Sequence, residues 1–331
     1  MNIEFLRKAR LTLDSYIIYY SRSDRDPNWM NALGLIPYFV AKRLSGLRLL
    51  HRFIESASYK SSFNPNEERL PEIELLLVST RKDSETVPQV IEYAIKHSRN
   101  KVTRISIIVP ENQVPFFSSL IEKEEYSGLV EIISEDVQLK SSDRQLIKDI
   151  MGNRYGWTLQ QFLTVSFCLE SSARGVLAVN SDTVILQDQT WLDSKGKQIL
   201  MESFEFNPDY YDLIKKVNPK FDNLNSSHIT HHMLFQPELL KSCLRYFGVD
   251  DLSSFIRLLL KHVNPESASP ICAEFEPYAQ FLRKTSSDRV EMIKFSNIGI
   301  QRPRDIALVD LIQKYENQKN YNSISFHSWM A

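Results

Sequence analysis

The chain has 331 residues, 43% of them hydrophobic and 24% charged, and its 40 Lys and Arg nearly balance 41 Asp and Glu to a net charge of −1. This composition excludes whole-chain disorder and a dominant nucleic-acid-binding charge, so no nucleic-acid partner is expected. Only nine glycines are present and none follows GxGxxG or GxxxxGKS/T spacing, which excludes the glycine-rich dinucleotide and P-loop sites.

In chain order, residues 1–60 carry ten Lys and Arg against five acids, a local charge of +5. Within them Ile36, Val40, Leu44, Leu47, Leu50 and Ile54 recur at steps of three or four, the spacing of an amphipathic helix. Such a basic segment, residues 1–70, fits either a contact with an anionic membrane or helices packed on the main domain with their charges in water. The start of the chain lacks the layout of a signal peptide, and no run of 18 apolar residues predicts a membrane-spanning helix. Cys168, Cys243 and Cys272 are odd in number and show no CxxC spacing, so a disulfide framework is not expected and a reducing cytoplasm is.

From residue 72 the pattern alternates. Ile73–Ser79, Arg104–Pro110 and Leu129–Ser134 are short apolar runs suited to buried parallel strands. Helical spacing is read at 88–98, 112–124, 141–150 and 157–171, with Pro88 suited to a helix start. Gly175–Leu186 holds another strand, the polar triplet Asn180-Ser181-Asp182, and a further apolar run. This order predicts an α/β fold with a mostly parallel sheet and helices on both faces. In such sheets ligands bind beyond the carboxyl ends of the strands. All four strand ends carry an acid, and the triplet reads equally as a turn or as a diphosphate site.

The stretch RYGWTLQQFLTVSFCLESSARGVLAVNSDTVIL resembles the central segment of bacterial GT-A-fold glycosyltransferases, in which an R-x-G-W-x-x-Q-Q helix precedes a strand ending in D-x-D-T-V-F. SSHITHHMLFQPELL, SPICAEFEPYAQFL and SISFHSW are similar to later pieces in the same order, so the resemblance covers roughly residues 72–331. It implies a Rossmann-like GT-A domain over 71–331 behind N-terminal helices, with a nucleotide-binding half at 71–190 and an acceptor-binding half at 191–331. It also implies a nucleotide-sugar donor, a glycan or lipid-linked acceptor, and Mn2+ or Mg2+ at the diphosphate. A hard cation would neutralise the charge of the leaving diphosphate.

The sequence departs from the motif where Asn180 replaces the first acid; Asp182 is retained. The departure leaves a weaker metal site, ribose contact by Asn180 with the metal on Asp182, or metal-independent catalysis; the second is the expected reading, with Ser181 also touching the donor. His327, in SFHSW, is the second expected metal ligand, with Ser325, Ser328 and Trp329 near the diphosphate. One of His231 and His232 is expected to face the sugar, His231 as a catalytic group and His232 as a donor contact. Glu274 is the expected general base of an inverting transfer, while Glu276 faces solvent. Arg154, Trp157, Gln160 and Gln161 are expected to share a donor-binding helix face, and Thr80 and Asp83 to hold base and ribose. The resemblance thus implies a cytoplasmic glycosyltransferase building a cell-surface glycan, which the basic segment would hold at the inner face of the plasma membrane if it contacts lipid. A sugar nucleotidyltransferase and a non-catalytic nucleotide-sugar-binding protein are the rivals.

Overall fold

A computed structural model describes residues 63, 69–203, 207–221, 227–264, 267, 271–301, 306–318 and 321–327. The basic segment expected over residues 1–60 lies outside the described residues, as do Ser328 and Trp329. The fold is mixed α/β around a mostly parallel sheet. Strands β1 (Ile73–Val78), β2 (Val102–Val109), β3 (Val130–Ser134) and β4 (Val176–Val179) run parallel, and β7 (His232–Phe235) pairs antiparallel with β4. Their order is β3-β2-β1-β4-β7.

Both faces of this sheet are apolar because successive side chains of a strand point to opposite sides. In β1, Leu76 enters one core while Ile73, Leu75 and Leu77 enter the other. In β4, Val176 and Ala178 go with the first, Leu177 and Val179 with the second. The helices Val87–His97, Val114–Ile121 and Leu308–Gln318 cover the second face through residues such as Val90, Ile91, Phe117 and Ile312. The helices Ser141–Met151, Tyr155–Glu170, Pro237–Tyr246, Leu252–His262 and Phe275–Thr285 cover the first. Pro88 stands in the first turn of its helix, as the sequence predicts.

The strands and helices read from 73 to 171 all form, with ends shifted by a few residues. The region after residue 186 adds what the alternation does not announce. The strand β5 (Thr183–Ile185) pairs antiparallel with β10 (Ser323–His327), which itself pairs parallel with β9 (Asn297–Gln301). A separate ladder joins β6 (Gln198–Glu202) and β8 (Val290–Lys294). The pairing of β5 with β10 carries the end of the described chain back to the carboxyl end of β4. Among the described residues no helix is long and apolar enough to cross a membrane.

Candidate functional site

The polypeptide leaves β4 through a hydrogen-bonded turn, Thr183 N–H donating to the Asn180 carbonyl at 2.9 Å. The turn is fixed on three sides. Asn180 N–H donates to the His231 carbonyl at 2.9 Å, ahead of β7. Thr86 Oγ1 lies 2.7 Å from the carbonyl oxygens of both Ser181 and Asp83, tying the turn to the loop after β1. Phe326 N–H donates to the Asp182 carbonyl at 2.8 Å. The triplet is therefore a turn and, because Asn180 and Asp182 stay partly exposed at the strand end, also a platform for side chains.

Asp182 points its carboxylate at His327, Oδ2 standing 3.4 Å from Nδ1. Its Oδ1 accepts a hydrogen bond from Thr183 Oγ1 at 3.1 Å, and its side chain remains 23% exposed. Burial acts to raise the Asp182 pKa, but the His327 contact and the charges of His231 and His327 outweigh it and hold the carboxyl below its ordinary value. The ring of His231 lies 5.7 Å from that of His327, centroid to centroid. His231 Nδ1 is 3.4 Å from Asn180 Nδ2, and Gln160 Nε2 is 3.5 Å from Asn180 Oδ1. Asp83 Oδ2 is 3.4 Å from Ser181 Oγ. Five separate stretches of chain thus bring Asp83, Gln160, Asn180, Asp182, His231 and His327 to one sheet edge.

His231 is the one non-glycine residue with positive φ, at 59°, among the described residues. A side chain in the left-handed region costs about 1–2 kcal/mol, so the surrounding contacts must hold it there. The strain turns the His231 ring to the cluster while its neighbour continues into β7. His232 goes the other way. It is 1% exposed, edge-on to Trp191 at 5.4 Å and to Phe295 at 5.4 Å, with both ring nitrogens unbonded. Burial, with the charge of His231, lowers its pKa to about 3, so it is a neutral core residue and stands behind the site.

The helix Tyr155–Glu170 splits the expected donor-binding group. Gln160 reaches the turn, whereas Gln161 is 3% exposed and its Oε1 accepts from Ala273 N–H at 2.7 Å. Its role is to anchor the segment that leads into Glu274. Trp157 is 37% exposed and stacks on Tyr210, and Arg154 is exposed at the helix entrance. Thr80 is exposed just past β1. Ser325 faces inward, 0% exposed, with its Oγ 2.8 Å from Thr183 Oγ1, and braces the turn from beneath.

Of the two acids at 274 and 276, neither faces solvent. Glu276 is 0% exposed and accepts from Tyr211 Oη at 2.7 Å, Ser227 Oγ at 3.0 Å, His228 N–H at 2.6 Å and Gln280 Nε2 at 3.0 Å. The solvent-facing position expected for it is corrected by these four donors, three of them from segments distant in sequence and Gln280 from the next turn of its own helix. Glu274 is 7% exposed; burial raises its pKa to about 7 against a hydrogen bond from Thr164. His228, not singled out in the sequence, sits 2.7 Å from the Met201 carbonyl through Nδ1 and is fully buried. Only the polar pair Ser227-His228 before ITHHM signalled it.

Among the described residues no group of three or more His, Cys, Asp or Glu side chains is placed to hold a metal ion. Asp182 and His327 offer one carboxylate and one imidazole. That set fits an ion which takes its remaining ligands from a diphosphate and water.

No protein-family model and no curated protein matches the sequence. Solved structures are similar in shape. Mouse xyloside xylosyltransferase 1 is 11% identical, with 78% of this chain and 99% of that one covered and a TM-score of 0.44. The galactosyltransferase LgtC, solved with donor and acceptor sugar analogues, is 9% identical over 76% and 86%, with a TM-score of 0.45. The bifunctional glycosyltransferase WbbM is 12% identical over 90% and 53%, with a TM-score of 0.38. At such identities and scores the activity has to be argued from this chain's own residues. A concavity of about 730 Å³ beside β3, lined by Pro115, Ser118, Glu122, Gly128 and Ile132, belongs to a different edge of the sheet.

Proposed function

We propose that the chain is a glycosyltransferase that moves a sugar from a nucleotide-sugar donor to a glycan or lipid-linked acceptor of the cell surface. The observation that carries this reading is the meeting of Asp182, His231 and His327 on the turn after β4, beyond the carboxyl ends of the parallel strands. The sequence resemblance of 72–331 to GT-A enzymes points to the same turn. Thr80 and Asp83, on the β1 side, are proposed to hold the nucleoside, with Asn180 and Ser181 against the diphosphate.

In the transfer the acceptor hydroxyl oxygen bonds to the anomeric carbon as the bond from that carbon to the diphosphate oxygen breaks. The diphosphate departs with the electron pair, and the hydroxyl proton passes to a base. His231 is proposed as that base, because its ring belongs to the cluster while Glu274 is buried against Thr164. Asp182 and His327 are proposed to hold Mn2+ in preference to Mg2+, since a nitrogen donor suits the softer ion. When bound, the cation would supply charge neutralisation for the leaving diphosphate. Besides its contact with the donor, Asn180 is proposed to hold Gln160 and His231 in place on either side of it. Release of free nucleotide from a panel of nucleotide-sugars tests the reading.

A further inference from the structure

We infer that Trp157, backed by Tyr210, is the platform on which a pyranose ring of the acceptor stacks. This rests on the glycosyltransferase reading above. Trp157 stands in the first turn of a helix whose middle is sunk in the core: Thr158, Leu159 and every residue from Gln161 to Cys168 are buried. Its indole is nonetheless 37% exposed, which leaves a large apolar face in water.

The exposed ring is also held in place. Tyr210, 8% exposed on the helix Pro208–Val217, lies nearly parallel to it at 6.4 Å between centroids and 22° between planes. One face of the indole is therefore backed by a fixed aromatic partner. Gln161 Nε2 lies 3.5 Å from the Trp157 carbonyl, so the backbone beneath the ring is tied to the same glutamine that anchors Ala273.

The position of the platform selects its occupant. Gln160, three residues on and so on the same helix face, reaches Asn180 at 3.5 Å. Through Gln160 the helix that carries the platform meets the turn from the Asn180 side. The proposed nucleoside residues adjoin it from the opposite side, through Asp83 and Ser181. A pyranose has an apolar C–H face and a rim of hydroxyls. An indole one helical turn from the primary amide of Gln160 offers both contacts. The donor nucleotide would occupy one flank of the turn and the acceptor sugar the other.

The test uses the full chain labelled with nitrogen-15, with the Trp157 indole N–H signal assigned from Trp157→Phe. The probes are methyl β-D-galactopyranoside, methyl β-D-glucopyranoside and methyl α-D-mannopyranoside, then the free nucleoside diphosphates, with glycerol as the solvent control. The signal should move with at least one pyranoside and not with glycerol, and should still do so in Asp182→Ala. Trp157→Ala should lose affinity for that pyranoside by about tenfold, the scale of one aromatic stacking contact, and keep its affinity for nucleotide. A signal unmoved by all three pyranosides overturns the proposal. So does a signal moved by nucleotides alone, which would make the ring a nucleobase platform. If pyranosides move it while no nucleotide binds anywhere on the chain, the platform stands and the glycosyltransferase reading falls.

Discussion

Asp182 and His327 face each other at 3.4 Å across the pairing of β5 with β10, and that pairing brings the last described residue to the end of β4. The contact couples the site to the stability of the fold. Its carboxyl has a pKa below the ordinary value, so the unfolded chain binds the proton more tightly than the native one. The stabilisation is complete above the unfolded pKa, near 4 for a typical Asp, and is lost as pH falls through the lower folded pKa. Asp182→Asn should therefore be less stable than the wild type in urea at neutral pH, and the two should converge in acid. A difference that stays constant with pH would remove the linkage.

The strained backbone at His231 makes a separate prediction. Glycine adopts positive φ without the side-chain penalty, so His231→Gly should gain about 1 kcal/mol in stability by relief of strain. It should also lose the proposed base and about 100-fold or more in transfer. Denaturant melts beside turnover measure both. A His231→Gly chain with wild-type turnover would show that the ring has no chemical role.

Glu274 should report its burial through pH. A carboxyl raised from 4.5 to about 7 is native-like when protonated. Stability is then full below the unfolded pKa near 4.5 and falls as pH rises through 7, by about 3 kcal/mol in all at 1.36 kcal/mol per pH unit. Glu274→Gln should abolish that fall and melt higher than the wild type at pH 8. Its turnover should stay within a few-fold of wild type, and a loss of about 100-fold would transfer the base assignment from His231 to Glu274.

Glu276 should behave as a structural hub. Glu276→Ala leaves Tyr211, Ser227, His228 and Gln280 without their shared acceptor in the core. Each unsatisfied buried donor costs about 1–3 kcal/mol, so loss of the cooperative transition, or a destabilisation above about 3 kcal/mol, is expected. A variant that melts with the wild type would contradict the network.

The parallel strands were legible because burial on both faces leaves a local mark, the unbroken apolar runs at 73–79 and 104–110. The turn after β4 was legible for a similar reason: Asn180-Ser181-Asp182 interrupts two such runs. The partners of that turn were harder to read. The pairing of β10 with β5 and β9 joins residues 323–327 to 183–185 and 297–301, and no local pattern encodes such a match. The same limit explains Glu276, three of whose donors lie at 211, 227 and 228. In the His231-His232 pair, alternation along a strand indicates that the two rings part. Only the positive φ at His231 and the β7 register show which ring stays with Asp182.

The most direct measurement is release of free nucleoside diphosphate from UDP-, GDP-, ADP- and dTDP-sugars with Mn2+ present, comparing the wild type with Asp182→Ala. The wild type should release nucleotide from at least one donor. Asp182→Ala should do so about 100-fold or more slowly, the scale of losing a key electrostatic contact, while keeping its fold. No release from any donor, or equal rates from the two proteins, would contradict the assignment of the Asp182 turn as a glycosyltransferase site.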